Sequence, residues 1–155
     1  MLLAVFSDTH GVVGPAIEAV RVSAPDWIVH LGDFSRDAEA LQKEFPHIEL
    51  RSVRGNCDMA SLAPLTELFF VGPTKIFMAH GHSYGVKQGL ASFQNAAWFS
   101  GAQLALFGHT HAPVCFEAGG IWFLNPGTAG AGGHNTWAQV ELTESGGISC
   151  RILAL

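Results

Sequence analysis

The sequence is poor in charged side chains, and basic ones are the scarcest. Of its 155 residues only 8 are Lys or Arg, against 13 Asp or Glu, which gives a net charge of −5. These basic residues are scattered along the chain, whereas broad nucleic-acid binding requires clustered Lys and Arg to contact the phosphate backbone. Their scarcity therefore argues against broad nucleic-acid binding.

Cysteine pairs and long apolar runs are also missing. The three cysteines, Cys57, Cys115 and Cys150, form no CxxC pair and are odd in number, which favours a reducing compartment over a disulfide framework. No apolar run approaches the ~18 residues of a membrane span. The apolar N-terminus is interrupted at Asp8 and lacks the basic segment of a signal peptide. We therefore predict a cytoplasmic protein without a membrane segment.

The first part of the chain alternates between strand and helix patterns. Apolar runs of strand length recur, and the segments between them carry apolar residues at helical spacing. Strands separated by short helices predict βαβ units and a parallel sheet. The predicted order is a strand over Met1–Phe6, a helix over Pro15–Ala24, a strand over Trp27–Leu31, a helix over Asp37–Phe45 and a strand over Ile48–Val53.

The second part of the chain is predicted to be mostly strand. Glycine-containing turns separate three pairs of apolar runs, which is typical of hairpins. No repeat, low-complexity tract or linker interrupts the chain, so a single domain over residues 1–155 is expected. The predicted elements are strands over Leu65–Val71 and Thr74–Ala79, a helix over Val86–Phe99, a strand over Leu104–Phe107, and paired strands over Val114–Ala118 with Ile121–Leu124 and Trp137–Leu142 with Ile148–Leu153.

Residues that can bind a metal follow five of the predicted strands, each near a glycine. In chain order they are Asp8 and His10, Asp33, Asn56, His80, and His109 and His111. Residues at positions i and i+2 of a strand project to the same side, and ligands at successive strand ends of an α/β sheet converge outside its carboxyl edge. Three oxygen ligands and four imidazoles are too many for one tetrahedral zinc ion. They suit two divalent ions that share a carboxylate.

Each of these residues alone has an ordinary interpretation. Asp33 could cap a helix, and Asn56 is by itself a typical turn residue. His80 and His109 could be polar side chains with ordinary hydrogen bonds. Five such groups left unpaired at strand ends would cost several kcal/mol, however, so their combination favours the two-metal interpretation.

These blocks, in this order, resemble the signature of the calcineurin-like metallophosphoesterases. The matching motifs are Asp8-x-His10, Gly32-Asp33, Gly55-Asn56-x-Asp58, His80-Gly-His82 and Gly108-His109-x-His111, and Asn125-Pro-Gly-Thr128 resembles a following block of the small prokaryotic phosphodiesterase branch. The resemblance implies an α/β fold in four layers, an α/β/β/α sandwich with a dimetal site at the carboxyl ends of the strands.

The resemblance also implies a ligand set and a cofactor. Three of the residues, Asp8, His10 and His111, would hold one metal ion, and Asn56, His80 and His109 would hold the other. Asp33 would bridge the two ions. The mixed nitrogen and oxygen ligands suit Mn²⁺, with Zn²⁺, Ni²⁺ or Fe as alternatives.

The implied activity is hydrolysis of a small phosphoester, most simply a phosphodiester, by attack of a metal-bridging hydroxide. Asp33 and Asn56 would act beside the metals, and His82 would either line the phosphate site or orient His80. Many relatives carry a histidine acid where this chain has Cys57, and Asp58 is the residue that would orient that histidine. A thiol is a weak donor and a poor acid at neutral pH, so the metals would have to support departure of the leaving group.

Two other functions remain open at this point. One is a phosphomonoesterase acting on a nucleotide or a sugar phosphate, and the other is a non-catalytic scaffold that binds proteins with the same fold. The arginine of the phosphatase Gly-Asp-x-x-Asp-Arg block is missing, since Ala38 follows Asp37, which argues against a Ser/Thr phosphatase. The adjacent aromatics Phe69-Phe70 and Trp122-Phe123 further predict a homodimer or higher oligomer, because each pair faces both sides of a strand.

Overall fold

The computed structural model describes residues 1–130, 132 and 134–155. Two five-stranded sheets and three α-helices make up the described fold. The elements, in chain order, are β1 (Leu2–Phe6), α1 (Gly14–Ser23), β2 (Trp27–His30), α2 (Ser35–Glu44), β3 (Glu49–Ser52), β4 (Thr66–Val71), β5 (Thr74–Ala79), α3 (Ala91–Ser100), β6 (Leu104–Leu106), β7 (Val114–Ala118), β8 (Ile121–Asn125), β9 (Thr136–Leu142) and β10 (Ile148–Ala154).

Both sheets contain a parallel block, of which the alternating pattern predicted the one in the first sheet. The first sheet has the order β10-β9-β1-β2-β3, and β1 pairs in parallel with β2, as β2 does with β3. In the second sheet, of order β4-β5-β6-β8-β7, the strands β5, β6 and β8 run parallel. The three predicted hairpins are confirmed as the antiparallel pairs β4–β5, β7–β8 and β9–β10.

Three apolar clusters give the molecule four layers. The central cluster joins the facing sides of the two sheets, with Leu3 and Val29 from the first and Met78 and Leu106 from the second. Helices α1 and α2 cover the outer side of the first sheet, and α3 covers the outer side of the second. The predicted α/β/β/α sandwich is confirmed.

One predicted helix is partly wrong. The expected helix over Val86–Phe99 begins only at Ala91, because a 3₁₀ turn over His82–Tyr84 ends at Gly85, whose φ of 63° is left-handed. Val86 and Phe93 are nevertheless buried in the same cluster. Apolar spacing therefore identified the side chains that face the sheet, whereas the backbone between them is not helical throughout.

The aromatic pairs behave differently from one another. Phe69 is buried between the sheets while Phe70 is exposed. Trp122 packs against the central cluster and Phe123 against the α3 cluster, so both faces of their strand are already covered. Only the first pair leaves an aromatic side chain largely exposed.

Within residues 1–130, 132 and 134–155, no helix has the length and hydropathy of a membrane span.

Candidate metal centre

The carboxyl ends of the parallel strands meet at one edge of the sandwich. Asp8 lies just beyond β1, Asp33 beyond β2 and His80 directly beyond β5, while His109 and His111 follow β6. Backbone hydrogen bonds connect the loops at these strand ends. For example, the N–H of Gly108 donates to the carbonyl of His80. This is the edge at which open α/β sheets hold ligands.

Asp8 is buried, and its two carboxylate oxygens make different contacts. Oδ2 accepts hydrogen bonds from Ser7 Oγ at 2.5 Å and from the backbone N–H of His109 at 3.1 Å. Oδ1 lies 3.1 Å from His111 Nε2 and 3.9 Å from the Nε2 atoms of His10 and His80. The donors on Oδ2 fix the carboxylate so that Oδ1 faces the imidazoles.

His80 is the most informative residue of the site. Its Nδ1 lies 2.7 Å from the carbonyl oxygen of Leu31, an acceptor, so Nδ1 carries the proton. In the neutral ring, the form that binds metals, Nε2 is then the lone-pair nitrogen, and it is buried with no hydrogen-bond partner among the described residues. It lies 3.5 Å from Asp33 Oδ1 and 3.9 Å from Asp8 Oδ1. A lone pair facing two carboxylates is unfavourable unless a cation lies between them.

The donor atoms form overlapping groups that fit divalent ions. Within each group all ligand atoms lie within 4.8 Å of one another. One group is Asp8, His10 and His111, and a second is Asp8, Asp33 and His80. Carboxylate oxygens and imidazole nitrogens are ligands that Mn²⁺, Zn²⁺ and related ions accept. The residues therefore fit the expected metals. Asp8 belongs to both groups, and Asp33 belongs also to a third group, with His10 and Cys57.

Two further predicted ligands lie at the margin of these groups. His109 packs its ring 5.0 Å from the ring of His80, measured between centroids. Asn56 is exposed and donates from Nδ2 to Cys57 Sγ at 3.5 Å. The structure thus brings the predicted residues to one edge of the fold.

The backbone at the site is strained. Of the seven non-glycine residues with positive φ in the described chain, six are Asp8, His10, Asp33, Phe34, His109 and His111. Such conformations cost about 1–3 kcal/mol each and are typical of functional sites. Close packing adds to this constraint, because a Cβ at Gly55 would lie 2.0 Å from Asp33 Oδ1. Only glycine fits at that position.

Protonation favours metal binding by the imidazoles. Burial, assisted by the neighbouring His80, lowers the pKa of His109 to about 4, so its ring is neutral at pH 7, the form that binds metals. Burial would raise the pKa of Asp33, but the hydrogen bond from the Cys57 backbone N–H, at 3.0 Å, and the nearby His80 keep it below its usual value. Asp33 is therefore ionised at neutral pH.

Cys57 and Asp58 occupy the loop that follows β3. Desolvation of the thiol and its hydrogen bond to Asp33 raise the pKa of Cys57 to about 11, so it stays protonated. Asp58 is buried, and its oxygens accept hydrogen bonds from Ser35 N at 2.7 Å and Gly55 N at 2.9 Å. Its carboxylate therefore fixes the loop to the start of α2. Asp33 does not cap that helix, whose N-cap is Phe34.

His82 lies beside the imidazole cluster. Its ring is 5.4 Å from that of His80 and 6.1 Å from that of His109. Burial and the neighbouring His80 lower its pKa. The carbonyl of Leu31 holds Nδ1 of His80, so the residue that orients His80 is not His82.

Several supporting residues were not identified from the sequence. Ser7 and Thr9, on either side of Asp8, are completely buried. Thr9 Oγ1 lies 3.0 Å from His30 Nε2. Burial lowers the pKa of His30 to about 4. The only feature of the sequence that points to these supporting roles is the pair of hydroxyl residues on either side of Asp8, and it is a weak indication.

The Asn125–Thr128 block supports the same loops. Asn125 Nδ2 donates to the carbonyl of Gly108 at 2.9 Å and to Thr110 Oγ1 at 3.0 Å. Thr128 Oγ1 donates to the carbonyl of Asp8 at 2.9 Å. The block therefore ties the histidine loop after β6 to the end of β1.

Comparison with known proteins identifies a family and similar relatives. The model of the calcineurin-like phosphoesterase superfamily domain matches residues 1–145. The probable metallophosphoesterase YsnB of Bacillus subtilis is 31% identical over 131 residues, which cover 83% of this chain and 75% of the relative. Phosphodiesterase YfcE of Escherichia coli K12 is 32% identical over 155 aligned positions, covering 83% and 79%. A predicted phosphoesterase from Streptococcus pneumoniae TIGR4 superposes with a TM-score of 0.78 at 26% identity, covering 99% and 97%.

Proposed function

Since the chain belongs to the calcineurin-like phosphoesterase superfamily, we propose that it is a metal-dependent phosphodiesterase acting on small phosphoesters. It is a hydrolase of phosphoric ester bonds, and the similar relative YfcE is named a phosphodiesterase. The observation that supports the proposal most directly is His80, whose unpartnered Nε2 lies 3.5 Å from Asp33 Oδ1.

Two divalent ions are proposed to bind per chain, with Mn²⁺ as the functional metal. Asp8, His10 and His111 would hold one ion, and Asn56, His80 and His109 the other, with Asp33 contributing to both. Bound divalent ions neutralise phosphoryl oxygens and lower the pKa of bound water from 15.7 towards ~7. The left-handed backbone of most of these ligands supports this proposal, because such strained conformations are typical of functional sites.

The chain's own residues supply the remaining interactions. His82, neutral at pH 7, can donate a hydrogen bond to a phosphoryl oxygen, and the Asn56 amide can do the same from the opposite loop. The Cys57 thiol is protonated and lies within 4.8 Å of the donor atoms of His10 and Asp33. It offers only a weak hydrogen bond to a leaving group.

A hydrolysis screen tests the proposed function. Purified protein would be assayed with Mn²⁺, Zn²⁺, Ni²⁺ or Fe²⁺ against 4-nitrophenyl phosphodiesters and against nucleotide and sugar monoesters. We expect diester hydrolysis, with Mn²⁺ supporting the highest rate. The matched variants are His80→Ala and His47→Ala, since His47 is an exposed histidine away from the site. Only the first should abolish activity, and monoester hydrolysis alone would replace the diesterase assignment.

Further proposals concern the organisation of the protein. We propose that the functional domain extends over residues 1–155, because β10 pairs with β9 along its whole length.

A homodimer is proposed from the exposed aromatic rings of Phe70, Trp98 and Phe99. Sedimentation as a monomer at micromolar concentration would contradict it.

The three free cysteines support a cytoplasmic location.

A further inference from the structure

A cleft of about 730 Å³ lies beside the candidate metal centre, at the β3 edge of the first sheet. One wall is the start of α2, and the other is the loop over residues 57–63. That loop is fixed at both ends, since Asp58 accepts from Ser35 N and Arg54 N donates to the carbonyl of Pro64 at 2.9 Å. The cleft is therefore part of the fold rather than a gap beside a loose loop.

The cleft is continuous with the metal centre. Cys57 lines the cleft, and its Sγ also lies within 4.8 Å of the ligand atoms of His10 and Asp33. Phe34 lines it as well, and its ring meets the His10 ring edge-on, with centroids 5.4 Å apart. Phe34 has a left-handed backbone, φ 75° and ψ 69°, a conformation typical of functional sites in a non-glycine residue.

The wall of the cleft carries apolar side chains that are left in solvent. Met59 is 93% exposed and Leu62 is 102% exposed, and both line the cleft. Large exposed apolar groups next to a site are typical of ligand contacts. Phe34 and Leu50, both half-buried, add to the apolar lining.

The charges of the cleft indicate an uncharged occupant. Arg36 and Glu39, both exposed on α2, contribute one charge of each sign. The Asp58 carboxylate is occupied by two backbone N–H groups. A neutral ring fits this balance better than a second phosphate group.

We propose that this cleft binds an aromatic ester group of the substrate, held between Phe34 and the side chains of Met59 and Leu62. The proposal rests on the proposed phosphodiesterase function, because the phosphoryl group must lie at the metal centre for its ester group to reach the cleft. It makes Met59 and Leu62 determinants of substrate preference, without contact with the metals.

Kinetics of matched variants test the proposal. Leu62→Ser and Met59→Ala should each raise the KM for bis(4-nitrophenyl) phosphate by roughly 10-fold, the size expected for lost apolar contact in a binding pocket. Their inhibition constants for inorganic phosphate, which has no ring, should equal that of the wild type. The control is Val22→Ser, since Val22 is 87% exposed and lies on α1, away from this cleft. It should change neither constant.

A second test observes binding without turnover. The chain has three methionines, of which Met78 is buried and Met1 lies at the opposite ends of the strands. In zinc-loaded protein carrying ¹³C-methyl methionine, phenylphosphonate should shift the Met59 resonance, whereas methylphosphonate should leave it in place. The Met1 and Met78 resonances should not move with either probe.

The two proposals fail in different ways. If the metal-loaded wild type hydrolyses no phosphoester, the proposed function is wrong. If the wild type hydrolyses the diester but KM is unchanged in both variants, or Met59 responds equally to the two phosphonates, the cleft does not bind the aromatic group.

Discussion

The carbonyl oxygen of Leu31 lies 2.7 Å from Nδ1 of His80, across 49 positions of sequence. This contact fixes a proton on Nδ1 and turns Nε2, the nitrogen that can bind a metal, towards Asp8 and Asp33. The two sheets meet here, because Leu31 follows β2 of the first sheet and His80 follows β5 of the second. The orientation of this imidazole is therefore a product of the sandwich itself.

The hydrogen bond from Ser7 Oγ to Asp8 Oδ2 should increase metal affinity. We expect Ser7→Ala to weaken metal binding by ~10–100-fold, the usual effect of removing a partner that orients a ligand. Titration with Zn²⁺ against a competing chelator measures this constant. Ser145→Ala, in an exposed turn, is the control, and equal affinities of the two variants would contradict the role given to Ser7.

His82 is expected to act on the substrate rather than on the metals. His82→Ala should therefore keep its metal content and lose about 100-fold in kcat, as when one donor to a developing charge is removed. The measurements are elemental analysis and steady-state kinetics on the same sample. A variant that loses metal in proportion to activity would make His82 a metal-positioning residue instead.

Cys57 offers a poor acid, so substrates with acidic leaving groups should be strongly favoured. A leaving-group series of aryl diesters, measured with one metal, should show a steep dependence of rate on leaving-group pKa. In Cys57→His the slope should become shallower. The gain should fall below the ~10²–10⁴-fold typical of general acid catalysis, because Asp58 is engaged by Ser35 and Gly55. A wild type without any leaving-group dependence would refute the argument.

His30 should make the metal-free protein sensitive to acid. Its pKa is about 4 in the fold against 6.5 when exposed, because burial disfavours the charged ring. The unfolded chain therefore takes up the proton first, and stability is highest above pH 6.5 and falls as the pH drops towards 4. The loss is on the order of 3 kcal/mol.

Urea unfolding in the presence of a chelator, from pH 7 to pH 4.5, measures this loss. The variant His30→Gln should lose less stability over the same range, whatever its stability at pH 7. An equally steep fall in the variant would assign the acid sensitivity to other groups.

That the candidate ligands lie close together was predictable, because each is a chemically distinctive residue at the end of an apolar run. Asp8, Asp33 and His80 all lie where the strand pattern stops, and parallel strands bring such ends together. The strand and turn pattern also predicted the three hairpins, whereas the four layers were implied by the resemblance to the metallophosphoesterases. The pattern failed at residues 86–90, where apolar residues face the core without forming a helix.

The supporting contacts were not predictable, since they depend on packing between distant segments. Nothing in the sequence near His80 indicates that Leu31 will hold its ring. The role of Asp58 likewise depends on how the loop meets the start of α2. The cleft formed by those two elements was also not foreseen, because its walls are separate in sequence and individually unremarkable.

The account depends on a site built for two metal ions, and a count of metal per chain tests this most directly. Wild type and Asp33→Asn would be stripped, reconstituted with Mn²⁺, freed of unbound metal and analysed by elemental mass spectrometry. We expect two ions per chain in the wild type, and fewer ions with no measurable turnover in Asp33→Asn. One ion or none in folded wild type, or two ions with normal turnover in Asp33→Asn, would contradict the account.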